Sequence, residues 1–328
     1  MEKANIRFVF IFVTLTCAFK ATGQDAIFSQ HFSTPTYLNP AFAGTYECTR
    51  LVFNYRNQPY PDFGTFSTFN FSYDQPVEAL MGGLGILATS DHQGGLIMRN
   101  HISAIYSLHL RITRDLHLNF GAQAGYLRKD LNWNNLVFPD QFDPATGETL
   151  PITETPPGQT WRHAADFAAG ILLYNERFYG GAAIHHLTRP EESLFGEHPL
   201  PIKFTAHLGF HIPLGQHGPA YQREESFFFS PNIIFQHQAP FNRINYGLYA
   251  GVSKIIAGVW LRQDFRLPET LIFMLGLNQG KYRVAYSYDH SLSGFSGIFH
   301  GAHEISVLLN LHCKSKNLRY RILNCPSF

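Results

Sequence analysis

The chain is poor in charged residues and has no long apolar run after its first twenty positions. Asp, Glu, Lys and Arg make up 15% of the 328 residues, against about a quarter in typical soluble domains. The net charge of +1 excludes the basic surface that nucleic-acid binding requires. No run approaches the roughly 18 residues of a membrane-spanning helix, so a helical membrane protein is excluded. Aromatic residues, at 15%, exclude a disordered chain. Two classes remain: a soluble all-β protein and a membrane β-barrel.

The amino terminus has the pattern of a secretory signal peptide. Two basic residues precede the apolar stretch Phe8–Phe19, and small residues follow it at the spacing of a cleavage site. We therefore expect residues 1–23 to be removed and the mature chain to begin near Gln24. Cys17 lies inside the apolar stretch rather than at its end, so we do not expect lipidation.

Three cysteines remain after the predicted signal peptide: Cys48, Cys313 and Cys325. They cannot all pair within the chain, and no CxxC motif is present. The sequence leaves two possibilities, that Cys313 pairs with Cys325 or that all three stay free. A zinc site is not expected.

Most of the remaining chain alternates between apolar and polar residues with a period of two, which predicts strands. In residues 101–110, one face carries Ile102, Ala104, Tyr106, Leu108 and Leu110, and only Ile105 interrupts the polar face. Each such segment is about ten residues long, which suits a tilted strand that crosses a bilayer. The polar face carries His, Asn, Gln, Ser and Gly rather than the Lys and Glu of a water-facing strand. This composition indicates a crowded, wet barrel interior.

The alternation predicts a closed antiparallel transmembrane β-barrel of about 14 strands between residues 47 and 312, with long extracellular loops and short periplasmic turns. Closure follows because an unpaired backbone group in hydrocarbon costs several kcal/mol. The predicted strands are 47–55, 65–73, 83–89, 100–110, 116–127, 163–174, 177–186, 201–212, 226–236, 243–253, 256–265, 270–277, 282–289 and 303–312.

The longest predicted connection runs from 128 to 162, on the extracellular side. It contains Trp133, Phe142 and Trp161. A loop of this length is usually functional or a lid, so we expect these three aromatic residues to contact a partner or to fold into the lumen.

Catalytic and metal-binding motifs are not evident. The 17 histidines lack metal-ligand spacing: His207 and His211 share a strand face but lie about 13 Å apart. No G-x-S-x-G elbow occurs. A Ser–His pair on the lipid-facing side would make an outer-membrane esterase, but the sequence singles out no such pair. We expect no cofactor, no metal and no enzymatic activity.

Several motifs resemble one known family in the order in which they occur. They are Gln24–Gln30, Tyr37–Gly44, Asn54–Gln58, Gly83–Gly85 with Asp91, Tyr174–Gly181, Tyr286–Asp289 with Ser291–Gly294, Gly301–Ile305 and Arg319–Pro326. Together they resemble the PorP/SprF family of type IX secretion system outer-membrane proteins. Two positions depart from the family pattern, Pro59 in place of an aromatic residue and Ala302 in place of a serine.

The resemblance implies an outer-membrane barrel of a Gram-negative bacterium that serves protein secretion, gliding motility or the anchoring of large surface adhesins. It implies partners among type IX secretion system components on the periplasmic side. On the outer side it implies a secreted protein with a C-terminal sorting domain. Outer-membrane lipid surrounds such a barrel. The resemblance carries no catalytic residue.

The segment 24–46 is too apolar to lie in water, although its prolines and glycine prevent regular structure. We expect it to fill the periplasmic mouth or the lumen as a plug, and the residues 313–328 to form a periplasmic tail. Within the segment we single out five candidate plug or partner-binding residues: Phe28, Gln30, Tyr37, Asn39 and Pro40.

Three further residues lie near the outer ends of their predicted strands: Arg56, His303 and Glu304. We expect them to interact near the extracellular rim, where they would either serve a partner or stabilise the barrel.

Two other functions remain open besides the secretion role. A passive channel or small-molecule transporter would use the polar face as a wet path, lined by His109, His117, Asn119, Gln123, Asp166, Lys203, His207 and Arg283. A soluble β-sandwich would show the same alternation with its polar face toward bulk water.

Overall fold

The computed structural model describes residues 25–46, 48–61, 64–141, 149, 151, 154–156, 158–214, 227–265, 268–292, 301–311 and 313. The predicted signal peptide, Phe142, Cys325 and the tail after Cys313 lie outside the described residues.

Strands dominate the described chain. They are β1 (Thr49–Tyr60), β2 (Gly64–Val77), β3 (Gly82–Gln93), β4 (Ile97–Arg111), β5 (His117–Leu131), β6 (Trp161–Tyr174), β7 (Phe178–His185), β8 (Lys203–Phe210), β9 (Ile212–Leu214), β10 (Phe227–Gln238), β11 (Phe241–Val252), β12 (Ile255–Asp264), β13 (Pro268–Gln279), β14 (Tyr282–Ser291) and β15 (Ala302–Leu311).

The strands form one closed antiparallel barrel. Neighbours along the chain pair with each other, and β1 pairs with β15 from Thr49↔Leu311 to Asn57↔His303. The segments β8 and β9 both pair with β10 and follow one another, so they occupy a single position in the wall. The barrel therefore has fourteen strand positions, which confirms the predicted fold. Within the described residues, each of the fourteen positions pairs with a neighbour on both sides, so the wall is continuous. The outer half of β6, residues 161–168, pairs with β5 alone.

The burial pattern confirms which face of each strand points inward. In β4, Ile102 and Tyr106 are 55% and 38% exposed, whereas Ser103 and Ser107 are 3% and 0% exposed. Ile105, the apolar residue on the polar face, is also buried. The eight residues predicted to face the lumen are all buried or half-buried. An apolar outer surface around a polar interior is the arrangement of a membrane barrel.

The two longest connections, 132–160 and 186–202, lie at the outer end of the barrel. The inner end carries short connections at 78–81, 175–177 and 253–254, together with the longer connection 215–226. The first two outer connections were expected at 56–64 and 90–99 but comprise only residues 61–63 and 94–96. The reason is that the strands continue past the apolar band, where both faces are polar and the alternation is no longer visible.

Among the described residues, helical structure is confined to single turns. A short helix, α1 (Pro35–Leu38), and a 3-10 turn at Pro40–Phe42 lie in the N-terminal segment, and other 3-10 turns cover Glu78–Leu80, Trp133–Asn135 and Pro139–Gln141. Among the described residues, no helix has the length and apolar character needed to cross a membrane.

A disulfide joins Cys48 to Cys313, with the Cα atoms 4.0 Å apart. The expected alternatives, a Cys313–Cys325 pair or free thiols, are therefore wrong. The physical reason is barrel closure: the pairing of Thr49 with Leu311 brings the residues that precede β1 and follow β15 side by side.

Candidate functional site

Residues 25–46, which we call the lumen segment, lie inside the barrel and descend through it. Asp25 contacts Arg99 and Lys203 near the outer ends of β4 and β8. Gly44 contacts Asp74 near the inner end of β2. The segment thus runs through the lumen from the outer to the inner end instead of filling only the periplasmic mouth.

The outermost anchor is the carboxylate of Asp25. It lies 2.7 Å from Arg99 Nη1, 2.8 Å from His186 Nε2 and 3.2 Å from Lys203 Nζ. Burial by itself would raise the pKa of this carboxyl group. The positive charges of His186, Lys203 and Arg99 outweigh burial and hold the pKa of Asp25 well below its ordinary value. Asp25 is therefore ionised at neutral pH.

His186, in the turn after β7, links the lumen segment to the wall. Its Nδ1 lies 2.9 Å from Asp166 and its Nε2 contacts Asp25. Burial by itself would lower the pKa of the imidazole. The carboxylates of Asp25 and Asp166 outweigh burial and raise this pKa to about 9. The side chain is thus an imidazolium at neutral pH, and both nitrogens donate.

Ser29 and Gln30 hold the segment to β14 and β15. The backbone N–H groups of both residues donate to the Glu304 carboxylate, at 2.7 and 3.3 Å. The side chain of Gln30 donates to the backbone carbonyl of Glu304 at 2.8 Å and to Ser287 Oγ at 3.2 Å. Glu304 is fully buried, so it serves as an acceptor for the passing backbone.

Glu304 belongs to a buried cluster with one acidic and two basic neighbours. Arg56 lies 2.8 Å from Asp289 and 3.4 Å from Glu304, and Arg262 lies 3.2 Å from Asp289. Both arginines also donate to Ser29 Oγ at 2.8 Å. Two cations balance two anions, which is the condition under which buried charges are tolerated.

The three residues expected to meet near the rim, Arg56, His303 and Glu304, lie on different sides of the barrel wall. Arg56 and Glu304 meet, but inside the lumen and not at an exposed rim. His303 points outward, and its Nδ1 lies 2.7 Å from Tyr286 Oη. The expected contact between Arg56 and Glu304 is thus present near the outer ends of their strands. The expected participation of His303 is wrong, because adjacent strand positions face opposite sides.

Asn39 holds the middle of the lumen segment. Its Nδ2 donates to the carbonyls of Ile171 and Ala182, at 3.0 and 3.3 Å, and its Oδ1 accepts from Ala41 N–H at 2.9 Å. Pro40 follows as the first residue of the 3-10 turn. One side chain thereby caps the turn and joins it to two strands of the wall.

The inner part of the segment is held through its backbone. Ser107 Oγ and Asn119 Nδ2 donate to the carbonyl of Ala41, at 3.1 and 3.2 Å. Asp74 accepts from Gly44 N–H at 2.9 Å and from Arg50 Nε at 2.8 Å. Polar side chains that would line the path of a channel here form hydrogen bonds to the lumen segment.

Aromatic contacts add apolar packing to this polar framework. Phe28 lies edge-on against Tyr37 with centroids 5.0 Å apart, and Phe42 stacks on His207 at 5.2 Å. Three cavities between the segment and the wall measure about 20, 30 and 40 Å³, which is room for single waters.

Glycines on the inner face of the wall make room for the segment. A Cβ at Gly121 would overlap the backbone of Ala41, and one at Gly170 would overlap the side chain of Asn39. In the sequence, these glycines stand out only as part of the small, weakly polar face of the strands. Their recurrence on that face was the signal that a backbone approaches closely.

The outer connections carry the remaining predicted aromatic residues. Trp133 packs against Phe138 and Phe195, with centroids 5.3 and 6.4 Å apart, and so joins the connections 132–160 and 186–202. Trp161, at the outer end of β6, stacks on His163 and lies beneath the Arg128 guanidinium. The nearby Val137 is 66% exposed. Both tryptophans thus lie at the outer end of the molecule and not in the lumen.

Metal binding finds no support in this geometry. Within the residues that the structure describes, no three His, Cys, Asp or Glu side chains are arranged to hold a metal ion.

The family model for the type IX secretion system membrane protein PorP/SprF matches residues 21–309. The chain belongs to the PorP/SprF family. It is accordingly an outer-membrane protein. No curated protein sequence matches it.

Solved structures with similar folds share little sequence with this PorP/SprF protein. The Acinetobacter baumannii outer-membrane protein Omp33 is 9% identical, with a TM-score of 0.43, over 82% of this chain and 100% of its own. The P. putida toluene transporter TodX is 9% identical, with a TM-score of 0.47, over 84% of this chain and 93% of its own. BamA from Haemophilus ducreyi is 8% identical, with a TM-score of 0.41, over 80% of this chain and 70% of its own.

Proposed function

We propose that this PorP/SprF protein acts by binding. It holds a secreted surface protein, such as an adhesin, at its outer end and contacts periplasmic components of the type IX secretion system at its inner end. The observation that carries the proposal is the occupied lumen: residues 25–46 bond to the wall at the outer end, the middle and the inner end. The surfaces left for macromolecular partners are then the two ends of the barrel.

The outer end has features suited to a protein partner. The cluster of Trp133, Phe138 and Phe195 bridges two connections, and Val137 beside it is solvent-exposed. Aromatic residues are enriched at the energetic centres of protein interfaces. We propose that this cluster contacts the secreted protein that carries the C-terminal sorting domain.

Site-specific photo-crosslinking in cells tests the two ends separately. A photoreactive residue replaces Val137 at the outer end, or Met81 in the inner turn, where the side chain is 57% exposed. The expected product at 137 is a covalent complex with a protein that has a C-terminal sorting domain. The expected product at 81 is a complex with a periplasmic secretion component.

The crosslinking positions serve as controls for one another. If neither position yields its expected product while the barrel is present in the outer membrane, the binding role is wrong. If both partners crosslink at one end, the assignment of the two ends is wrong.

A further inference from the structure

A groove of about 580 Å³ lies on the outer, lipid-facing surface over β1 to β5. Its floor follows β3, where the outward side chains Ala88 and Ser90 are small. Phe69 and Phe71 of β2 form one wall, and Ile102 of β4 stands on the other side. The groove thus runs along a strand between two apolar ridges, which is the shape of a binding site for an extended acyl chain.

Ser90 lies at the level where the outer face of β3 changes from apolar to polar. Towards the inner end, Leu84 and Ile86 are 37% and 46% exposed, as expected for contact with hydrocarbon. The next outward residues are Ala88, Ser90 and His92. A lipid whose chain follows the apolar part of the groove therefore brings its ester linkage to the level of Ser90.

Ser90 is hydrogen-bonded to both a histidine and an amide. Its Oγ lies 2.9 Å from His92 Nε2 and 2.7 Å from Asn100 Oδ1. The imidazole packs edge-on against Phe69, with centroids 6.0 Å apart, and Asn100 is the direct cross-strand partner of Ser90. A hydroxyl within hydrogen-bond reach of an imidazole is the core of a nucleophile–base pair.

We propose that Ser90 and His92 form a catalytic pair that cleaves carboxylic acyl esters of outer-leaflet lipids held in this groove. The activity is additional to the binding role and contradicts the expectation from sequence that the chain is not an enzyme. The predicted strand ended at residue 89, so the sequence did not show that Ser90 and His92 share one face of β3. That Ser90 also meets Asn100 follows only from the β3–β4 pairing.

The chemistry balances with water as the co-reactant. At rest the Ser90 hydroxyl donates its proton to Asn100 Oδ1. For the reaction the hydroxyl turns to His92 Nε2, which accepts the proton as Oγ attacks the ester carbonyl, and the tetrahedral intermediate collapses to an acyl-serine. The C–O bond to the lipid alcohol breaks, and that alcohol takes the proton from His92. Water then attacks the acyl-serine with His92 again as base, and the products are a free fatty acid and the original serine.

Two other side chains lie beside this pair. Asn100 is a positioning residue, because its Oδ1 holds the Ser90 hydroxyl in place before substrate binds. Arg128, the cross-strand partner of Asn100, also lines the groove. Its guanidinium is paired with the Asp130 carboxylate at 2.7 to 3.0 Å.

Active-site labelling tests the pair directly. The purified full-length protein in detergent is treated with a long-chain alkyl fluorophosphonate, and the modified residue is identified by mass spectrometry. We expect modification of Ser90 at a rate that falls by about 10²-fold or more in His92→Gln, since general-base assistance has that magnitude. A matched control is His237→Gln, an imidazole on β10 whose partner is Asn242 at 2.7 Å, which should react like the wild type.

Lipid vesicles then identify the substrate. Release of fatty acid from phosphatidylethanolamine vesicles or from vesicles that contain lipid A shows which lipid supplies the ester, and it should stop in Ser90→Ala. The proposal is overturned if Ser90 stays unmodified, if Ser67 across the strand is modified instead, if His92→Gln reacts like the wild type, or if neither vesicle releases fatty acid. Retained strand content by circular dichroism shows that each variant is folded.

Discussion

At the scale of single residues, Glu304 shows how a charge can be buried for a structural purpose. Its carboxylate accepts two backbone N–H groups of the lumen segment and pairs with Arg56. Removing one member of such a cluster lowers the free energy of unfolding by more than the ion pair itself contributes, because the remaining charges stay buried without a partner. The glutamate of the motif Gly301–Ile305 is therefore explained by its contacts with the lumen segment.

Glu304→Gln should destabilise the barrel by about 3 kcal/mol, the magnitude for breaking a buried ion pair. The substitution keeps the side-chain volume but leaves two arginines against one carboxylate. Denaturant unfolding in detergent measures the change. The control is His303→Gln on the outer face, which should alter stability by less than about 1 kcal/mol; equal losses in both variants would contradict the role of Glu304.

A second residue-scale prediction concerns pH. Because the pKa of His186 is raised to about 9, its stabilising contact with Asp25 and Asp166 is fully present below the ordinary histidine pKa of about 6.5. That contact is lost as the pH rises through about 9. The melting temperature of His186→Gln should therefore lie below the wild type near pH 7, and the difference should shrink near pH 10. A difference that is constant across this range would show that His186 contributes only by packing.

At the scale of secondary-structure elements, the sequence predicted what depends on alternation. The fourteen strand positions followed from the period of two, and so did the inward side of strands such as β4, since one apolar face must meet lipid. What it could not predict depends on register between strands. The Arg56–Asp289 contact, the Cys48–Cys313 disulfide and the Ser90–Asn100 bond each join positions whose meeting requires a defined pairing.

The path of the lumen segment is the other feature that alternation could not predict. Apolar residues between 28 and 42 indicated burial, but a two-residue period says nothing about an irregular chain. Its course is set by specific donors and by glycines where the backbone passes the wall. Those glycines give the element-scale prediction.

Gly121→Ala should displace the inner half of the lumen segment. A Cβ at this position overlaps the backbone of Ala41, whereas a Cβ at Gly276, also on the inner face, would meet Ala285 Cβ at an ordinary 3.5 Å. Hydrogen exchange of residues 38–45 should therefore increase in Gly121→Ala and stay unchanged in Gly276→Ala. Equal protection in both variants would mean that the segment does not pass Gly121 closely.

At the scale of the whole molecule, the polar side chains that line the barrel and the backbone of the lumen segment satisfy each other's hydrogen bonds. Hydrogen-bonding groups such as Asn119 and His109 face the lumen and bond to carbonyls of the segment, at 3.2 and 3.0 Å. A channel would need the same groups free to contact water and solute. Occupancy of the lumen therefore distinguishes the binding role from the passive-channel alternative.

Planar-bilayer conductance measures that occupancy. The wild-type protein should show no steady ion current, because the cavities beside the segment measure only about 20, 30 and 40 Å³. A variant without residues 25–46 should conduct, since a wall of fourteen strands lined by polar side chains then encloses water. The Gly276→Ala protein serves as the folded control and should stay silent. If the wild type conducts as strongly as the shortened variant, the segment does not close the lumen, and the channel becomes the better account of the protein.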